Sequence, residues 1–525
     1  MADSLDQDLV LHQVVDFSAG QWSNPHPTDK ILTPENAAAE LLDADIDTPG
    51  RCDIRRGYTL VADDLGSNKI GGLLGYYPTG GTRYLIMESN GIIYSWNGSD
   101  AAWTSRKTGL TPQDQVFFFN GLDGLYRVSR ENTIRHTVNG TTWLTLSDSN
   151  TYFPRAKFAL LASNRRTFAF NTAAYPNGAY YSEAGGADGT DWDRTLSVTL
   201  FGKDVEYGVT GAIEFTDGTL IVMNPDEMFG WDISDADPDN WTNSRISQIG
   251  SWALGSVAQV GEDALFLSRD GVRSIAQSAQ DKKRGVNLPI SWPIQDWIDR
   301  INWAYAYKAQ AAVWADKYLL AVPIDSATEN SHVLCWSRRA FEANGKRGGW
   351  TIWRNWHVNC WGIQAFGNIP KLYFGESQSD SKVYFARSSD TSANPTSDNG
   401  TAITLSLTPM RSDFDSAHLD KSFETVEARV LTQSSGTIAL ESQIDGSGFE
   451  DIASFSQQSG GPTLPVTLPF TLSDVSIVKK KYSLESLGRG RDIQHRLSMA
   501  TLDADCSILS IGTSAFVEEF ELNED

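Results

Sequence analysis

The chain has few cysteines and no long hydrophobic run. Its four cysteines, in 525 residues, lie far apart and form no C-x-x-C pair, so the sequence predicts neither a zinc site nor a disulfide framework. The N-terminal segment lacks a basic stretch followed by an apolar one, and no stretch reaches the ~18 apolar residues that a bilayer span needs. We expect buried free thiols, as in a reducing cytoplasm, and no signal peptide or membrane segment.

Positive charge is also scarce. Lys and Arg number 43 against 66 Asp and Glu, which gives a net charge of −23 and a pI of about 4.7. Tight binding of nucleic acid depends mostly on cationic side chains that neutralise phosphates. The composition therefore argues against tight DNA binding, and it leaves open whether the acidity serves solubility alone or repels DNA.

Catalytic signatures are missing as well. The chain contains no G-x-S-x-G, P-loop, H-E-x-x-H or dinucleotide fingerprint, and its seven histidines show no metal-ligand spacing. Residues 268–275 and 97–103 each resemble part of the Ser-x-Asp-x-Gly-x-x-Trp box of sialidase-type propellers, but neither is complete. We predict a protein that is not an enzyme and has no cofactor and no metal site.

Aromatic hairpins recur along the first half of the chain. Residues 84–103, "YLIMESNGIIYSWNGSDAAW", place an Asn-Gly turn between two apolar runs and end on Trp103. The same order returns three times, ending at Trp143, Trp192 and Trp241, so the closing tryptophans are 40, 49 and 49 residues apart. Four short strands with their turns occupy about 40–50 residues, which is one propeller blade.

Three looser hairpins follow, at 264–277, 317–337 and 371–388, and Trp350 follows the second of them. The sequence therefore predicts a β-propeller of six or seven blades over residues 51–390, with an indole filling the space between successive blades. A large irregular β-sandwich with tryptophans scattered through its core is the alternative. One short helix is predicted near 293–301, where Ile294, Trp297, Ile298 and Ile301 share a face and Ser291 suits the N-cap.

The ends of the chain differ from the centre. Residues 391–402 are polar, with Pro and Gly, and read as a linker; tryptophan is absent after Trp361. Segments within 403–525 alternate apolar and polar residues, which predicts a C-terminal antiparallel β-sandwich that serves assembly. Residues 1–50 are predicted to form an extended arm. The predicted fold class is all-β.

Basic residues cluster at 281–284, 478–482 and 488–496. In the last cluster we expect Gly488 and Gly490 to allow a tight turn with Arg489, Arg491 and Arg496 exposed around it. Two interpretations stay open for these arginines: contact with phosphate, or salt bridges to an acidic neighbouring subunit.

Two segments carry a resemblance to a known family. Residues 35–61 contain Arg55, Arg56 and Gly57 just before the first blade, and residues 479–517 contain the run Gly490, Arg491, Asp492, Ile493. Both segments resemble those of phage tail-hub or nozzle proteins, also called the tail tubular protein B type. The order of arm, propeller and β domain is similar too, although this chain is shorter than the larger nozzle proteins.

The resemblance implies a structural virion protein without catalytic residues. It implies a homo-oligomeric ring, commonly of six subunits, in the tail channel of the head-tail connector below the portal and adaptor. Such a ring contacts other tail, adaptor or fibre proteins, retains the genome, and conducts DNA during genome ejection without binding it tightly. The expected location is the virion tail, after synthesis in the bacterial host cytoplasm. The alternatives are a glycan-binding or glycan-cleaving propeller, such as a receptor-binding tail protein, and a generic interaction scaffold.

Overall fold

The fold is taken from a computed structural model of the 525-residue chain. The structure describes residues 9–23, 33–63, 65–66, 68–146, 153–185, 192, 197–203, 206–276, 278, 288–378, 381–387, 397–431, 433, 435–457 and 477–517. The basic cluster at 281–284 and residues 391–396 of the predicted linker lie outside these ranges.

Short strands begin in the segment predicted as an arm. They are β1 (Leu9–Val14), β2 (Ala38–Leu42), β3 (Ala44–Asp45), β4 (Cys52–Ile54) and β5 (Tyr58–Leu60). None of them pairs with the next along the chain except β3 with β4. Their partners come from distant parts of the sequence.

Four blades of four antiparallel strands follow, each built from consecutive strands. Positive φ at Asn90 and Gly91 forms the first Asn-Gly turn as expected. The strands are β6 (Ile70–Tyr76), β7 (Tyr84–Ser89), β8 (Ile92–Trp96), β9 (Thr104–Lys107); β10 (Phe117–Asn120), β11 (Leu125–Val128), β12 (Arg135–Thr137), β13 (Leu144–Thr145); β14 (Ala156–Leu161), β15 (Thr167–Thr172), β16 (Gly178–Tyr181), β17 (Val198–Leu200); β18 (Gly211–Thr216), β19 (Thr219–Met223), β20 (Met228–Asp232), β21 (Thr242–Ser247).

Three further units complete the propeller. They are a three-stranded sheet, β22 (Ala258–Val260), β23 (Asp263–Ser268), β24 (Gly271–Ser274); a four-stranded unit, β25 (Gln310–Trp314), β26 (Lys317–Val322), β27 (His332–Ser337), β28 (Trp350–Arg354); and β29 (Val358–Gln364), β30 (Lys371–Glu376), β31 (Val383–Ala386) with β5 as fourth strand. The prediction of an all-β propeller of six or seven blades is confirmed: within the described residues, six blades have four strands, and the three-stranded sheet lies between the fourth and the next.

The ring is closed by the N-terminal strand. β5 pairs antiparallel with β31, with Leu60 opposite Tyr384 and Tyr58 opposite Ala386. Beside this closure, the Asn359 side-chain amide at the start of β29 donates to the Ile70 carbonyl of β6 at 2.8 Å. The last blade is thus tied both to the chain's beginning and to the first blade.

The predicted helix is present as a 3₁₀ turn, Trp292–Ile294, followed by α1 (Gln295–Asp299). Its apolar side chains are buried between the three-stranded sheet and the β25–β28 blade. Ser291 occupies the expected N-cap position of this turn, but its hydroxyl makes no capping hydrogen bond, because it accepts from the Val272 N–H at 2.9 Å. The described ranges also contain a second short helix, α2 (Arg338–Ala343), and 3₁₀ turns at Pro238–Asn240, Leu254–Ser256, Ala306–Lys308 and Glu485–Leu487. None of the described helices is long and apolar enough to cross a bilayer.

The C-terminal strands join two sheets that also contain N-terminal strands. They are β32 (Ser397–Asp398), β33 (Thr401–Ala402), β34 (Leu405–Pro409), β35 (Lys421–Leu431), β36 (Thr437–Ile444), β37 (Glu450–Ser456), β38 (Ile477–Ser483), β39 (Arg489–Gly490), β40 (Ile493–Met499) and β41 (Ser507–Val517). We call the sheet of β3-β4-β41-β35-β38, with β1 on β41 and β39 on β35, the terminal sheet. We call the nine-stranded sheet β25-β26-β27-β28-β2-β34-β40-β36-β37 the bridging sheet, because it continues a propeller blade.

The terminal sheet and the C-terminal half of the bridging sheet share one hydrophobic core. Phe17 and Leu41 from the chain's beginning are buried there with Phe423, Leu440 and Ile511 from its end. We call this part, β1–β4 with β34–β41, the terminal unit. The proposed domain limits at residues 50, 390 and 402 stay predictions, as does a separate C-terminal sandwich.

Candidate functional site: a buried arginine junction and an arginine turn

The closing tryptophans of the first three blades lie between blades. Trp103 packs against the last blade, Trp143 against the first and Trp192 against the second, and all three are buried. Each indole therefore fills the apolar space between its own blade and the preceding one, as an interblade filler does.

The other two tryptophans occupy related places with different exposure. Trp241 is half-buried, contacts Phe168 and Tyr181 of the third blade, and donates its indole N–H to the Asp235 carbonyl at 2.8 Å. Trp350 is fully buried between the three-stranded sheet and its own blade, where it belongs to strand β28 instead of a loop.

The first resemblance motif forms a buried ion cluster where the propeller meets the terminal unit. Arg55 donates through Nε to the Asp43 carboxylate at 2.7 Å, and through both terminal nitrogens to Asp398 at 2.8 and 2.7 Å. Arg354, the last residue of β28, binds the other oxygen of Asp43 at 2.7 Å. The cluster connects the segments beside β3 and β4, the β25–β28 blade and the β32–β33 hairpin after the propeller. We call it the arginine junction.

Charge in the arginine junction is compensated. Burial disfavours the Arg55 cation, yet Asp43 and Asp398 outweigh that cost and raise the pKa of Arg55. Two residues on, Gly57 lies so close to β32 that a Cβ there would stand 1.9 Å from the Ser397 carbonyl oxygen. Arg56 forms an ion pair with Asp505 of the C-terminal segment. The run Arg55-Arg56-Gly57 before the first blade thus joins both chain ends to the ring.

The second motif is a turn in the terminal sheet. Asp445 accepts from the backbone N–H groups of Arg491 at 2.8 Å and Asp492 at 3.0 Å. A Cβ on Gly490 would stand 2.1 Å from Ile444 Cγ2, so only glycine fits without rearrangement. The Arg489 and Arg491 side chains are exposed at this turn, as expected. We call residues 488–492 the arginine turn.

A polar cavity of about 800 Å³ opens beside the arginine turn. Its charged lining residues are Arg411, Arg489, Arg491, Asp413, Asp420, Asp445 and Asp492. The carboxylates outnumber the guanidinium groups, and Arg491 already lies 3.5 Å from Asp420 in an exposed pair. The lining is therefore not a purely cationic surface for phosphate.

Arg496 is separate from the turn. It lies in β40 of the bridging sheet, 3.5 Å from Glu441, with its guanidinium 3.9 Å from the centre of the Phe449 ring. The structure therefore brings Arg489 and Arg491 together but leaves Arg496 apart from them. The expectation that Arg496 is exposed at the turn is wrong, because the chain enters β40 at Ile493 and Arg496 lies half-buried within that strand.

A buried hydrogen-bonded chain links the two sheets of the terminal unit. His495 Nδ1 lies 2.7 Å from the Ser442 hydroxyl and its Nε2 lies 2.6 Å from the Thr513 hydroxyl. Burial, followed by the nearby His12, lowers the pKa of His495 to about 3. A serine beside a histidine is an arrangement that nucleophilic enzymes use, but all three groups are buried here, so substrate has no access. These hydrogen bonds hold the bridging sheet and the terminal sheet together.

Polar side chains also cross between blades that are not neighbours. Gln115, before β10 of the second blade, donates to the Lys308 carbonyl before β25 at 3.0 Å. The Lys308 ammonium is buried and lies 2.5 Å from Glu329, which Lys69 also contacts at 2.6 Å. Around the closed ring, the last and first blades lie between these two elements, so the contacts cross the inner end of the propeller. This end of the propeller is filled by side chains.

An aromatic pocket of about 580 Å³ opens between the last blade and the first. Trp96, Phe366, Tyr373 and Phe385 line it, and the Lys371 ammonium stands 4.8 Å above the Phe385 ring. No sequence motif indicates this pocket, because its walls come from strands about 280 residues apart.

The two fragments of the sialidase box form hairpin connections. The Ser268 hydroxyl donates to the Gly271 carbonyl at 2.7 Å, and Asp270 accepts from Arg273 Nε at 2.9 Å. In the other fragment, Asn97 accepts from the Ser99 N–H at 3.0 Å. Both sets of polar side chains are used in shaping turns. Within the described residues, no three His, Cys, Asp or Glu side chains are grouped as a metal site.

No protein-family model matches this chain, and no curated protein matches it in sequence. Three of the solved structures that resemble it overlap with it over more than half of its length. The WD40 β-propeller domain of Doa1 is 11% identical over 63% of this chain and 97% of its own, with a TM-score of 0.37. YCF48 bound to D1 peptide is 11% identical over 64% and 97%, with a TM-score of 0.37. BamB from Moraxella catarrhalis is 11% identical over 60% and 85%, with a TM-score of 0.35.

Proposed function

We propose that this chain is a structural subunit of a phage tail channel that assembles into a ring and conducts DNA without binding it tightly. The observation that carries the proposal is the place of the two motifs that resemble nozzle proteins. Arg55 belongs to the arginine junction, Gly57 lies against β32, and Gly490 to Asp492 belong to the arginine turn, directly before Ile493 at the start of β40. Both motifs thus lie where the two ends of the chain meet.

The filled inner end of the propeller places a constraint on the channel. Because the Gln115 side chain contacts Lys308 there, and Lys308 contacts Glu329, duplex DNA does not fit through a single propeller. In the proposed ring the channel lies on the axis shared by several copies. The net charge of −23 then weakens adhesion of phosphates to the ring, because few counterions are released on contact.

Native mass spectrometry and negative-stain imaging of the full chain test this proposal. The expected result is a closed ring with a mass several times 57.8 kDa and a central opening wide enough for duplex DNA. Duplex DNA is expected to show no retention on the ring at physiological salt. A chain that stays monomeric at all concentrations, or a ring with a closed centre, would refute the tail-channel function.

The aromatic pocket supports a second candidate function, glycan binding. Aromatic rings stack on the apolar faces of sugars, and Lys371 at the pocket suits a sugar carboxylate. On this candidate, an array of acidic glycans retains the protein, and Lys371→Ala removes retention while the exposed-lysine control Lys346→Ala keeps it. Absence of retention by any glycan on the array rejects this candidate and leaves the structural function untouched.

A further inference from the structure

The two edges of the terminal sheet differ in chemistry. Within the described residues, β1 pairs only with β41 and β38 pairs only with β35, so each leaves one side of its backbone without a strand partner. On β1, Leu9 is 57% exposed and Leu11 66% exposed. On β38 the outward row is Ile477, Lys479 and Lys481.

An apolar, unpaired edge strand is an aggregation hazard that proteins normally protect with charge or cover with another element. Lys479 and Lys481 protect β38 in this way, since two copies of β38 would bring lysines opposite lysines. β1 has no such protection, because its outward side chains are leucines. We therefore expect another strand to pair with the exposed β1 edge in the assembled protein.

The strand directions show which surface can cover it. β1 runs antiparallel to β41, β41 to β35, and β35 to β38. β1 and β38 therefore run in opposite directions. When copies stand side by side around a ring, with their sheets facing the same way, β38 of one copy runs antiparallel to β1 of the next. This is the pairing used between neighbours throughout the sheet.

Charge favours the same partner. β1 contains no lysine or arginine, so the lysines of β38 meet no like charge from those side chains on β1, whereas they would meet one another in a β38–β38 contact. A contact between two different surfaces of identical copies is head-to-tail, and such contacts generate rings when the rotation closes.

We propose that the terminal sheets of successive copies join edge to edge, with β1 of one copy hydrogen-bonded to β38 of the next. This pairing of strands holds the ring together. The occupant of the β1 edge is thus a second copy of this chain. The inference rests on the ring of the proposed function and names the surface that forms it.

Cysteine cross-linking tests the contact directly. The full chain is prepared with Leu11→Cys together with Lys481→Cys, and a second version uses Lys479→Cys to allow for the register. Within one copy, β1 and β38 are separated by β41 and β35, roughly 14 Å. That separation exceeds the reach of a disulfide, about 7 Å, so any bond formed joins two copies. The four native cysteines are buried, and the parent chain without added cysteines measures any cross-linking that they cause.

The expected result is a ladder of covalent oligomers up to the ring size under oxidising, denaturing conditions. Each single-cysteine variant is expected to give no ladder. Rings that form without a ladder in either version overturn the edge contact and leave the ring proposal standing. Dimers from Leu11→Cys alone also overturn it, since they indicate β1 paired with β1. Failure of the parent chain to form rings refutes the proposed function and this inference together.

A charge test gives an independent readout. Leu11→Lys places a lysine opposite the lysines of β38 and is expected to lower the ring fraction at least tenfold at the concentration where the parent is half assembled. Leu144→Lys is the matched control, because Leu144 is 54% exposed on the second blade. Adding Lys481→Glu to Leu11→Lys is expected to restore assembly. An unchanged ring fraction for Leu11→Lys contradicts the proposal.

Discussion

The propeller and the terminal unit are built in opposite ways. In the first four blades every strand pairs with its neighbour along the chain. In the terminal unit β1 pairs with β41 and β2 with β34, so residues from the two ends of the chain lie side by side. Local pairing closes small loops, whereas end-to-end pairing requires nearly the whole chain to be present. The blades can therefore form early, and the terminal unit completes the fold.

The arginine junction is where the two regions depend on each other. Arg55 contacts Asp43, which lies between strands of the terminal unit, and Asp398, which follows the propeller. Arg354 brings the end of a blade to the same carboxylate. An exposed salt bridge at this place would couple the regions weakly, but these side chains are mostly buried, so loss of one leaves the others uncompensated.

Arg55→Ala is therefore expected to have the largest effect on the connection between the propeller and the terminal unit. The substitution leaves two buried carboxylates without the Arg55 cation. We expect the free energy of unfolding to fall by about 5 kcal/mol, which is at the upper end for the loss of one partner of a buried ion pair. Urea unfolding is followed by tryptophan fluorescence, which reports mostly the propeller, and by far-UV circular dichroism, which reports both regions. Arg339→Ala, which removes an exposed pair with Asp316, is the control and should cost less than about 1 kcal/mol. An Arg55→Ala loss as small as the control's contradicts the junction's role.

The sequence made the propeller predictable because its signals are local. An Asn-Gly turn, an aromatic strand and a closing tryptophan all lie within one blade, so Trp103, Trp143 and Trp192 mark successive units without any knowledge of distant contacts. The mutual placement of Arg489 and Arg491 was predictable for the same reason.

The terminal unit was less predictable because its order is non-local. The alternation in 403–525 indicates strands but does not reveal that β41 accepts β1 and β4, or that Asp398 and Asp43 meet at Arg55. Ser291 illustrates a smaller failure of the same kind. Its position suits a helix cap, but its hydroxyl accepts a hydrogen bond from a backbone N–H of β24 and does not cap the helix. Tertiary contacts decided each of these cases.

Truncation of an interblade tryptophan tests how much the packing between two blades contributes to stability. Trp143→Ala removes a buried indole between the first and second blades, and we expect a loss of about 3–5 kcal/mol. Trp241→Ala is the matched variant, and its loss should be smaller because Trp241 is half-buried. Both are measured by urea unfolding. Losses below about 1 kcal/mol at Trp143 contradict its role as a packed filler.

Acid is expected to act on the terminal unit through His495. Its pKa is lowered to about 3 by burial, whereas an unfolded chain has a histidine pKa near 6.5. Between these values the unfolded chain binds a proton that the folded chain does not. The stability is therefore fully present above about pH 7.5 and decreases as the pH falls toward 3, by about 2 kcal/mol between pH 7.5 and 5.

The variant His495→Gln keeps a polar side chain between Ser442 and Thr513 but does not titrate. Over the same interval, its free energy of unfolding is expected to fall by about 2 kcal/mol less than that of the parent chain. Chemical unfolding at the two pH values measures the difference. Equal pH dependence in the two proteins is the result that contradicts a neutral, buried His495.

The smallest effect on stability is expected at the arginine turn. Arg489 and Arg491 are exposed, and the pair of Arg491 with Asp420 is 3.5 Å long with both side chains largely exposed. Replacing both arginines with alanine should change the free energy of unfolding by less than about 0.5 kcal/mol. The Asp445 carboxylate accepts hydrogen bonds from the backbone N–H groups of the turn, so the shape of the turn does not depend on the two arginine side chains.

The same double variant separates the two interpretations of the arginine turn. If the arginines bind acidic side chains of a neighbouring copy, as the acidic composition favours, the ring fraction in native mass spectrometry falls while stability is unchanged. Lys346→Ala, which removes a cation elsewhere on the surface, is the control and should leave the ring fraction intact. An intact ring that loses affinity for inorganic phosphate supports phosphate contact instead. A loss of 2 kcal/mol in stability contradicts both, because it would make these exposed side chains part of the structural core that holds the chain ends together.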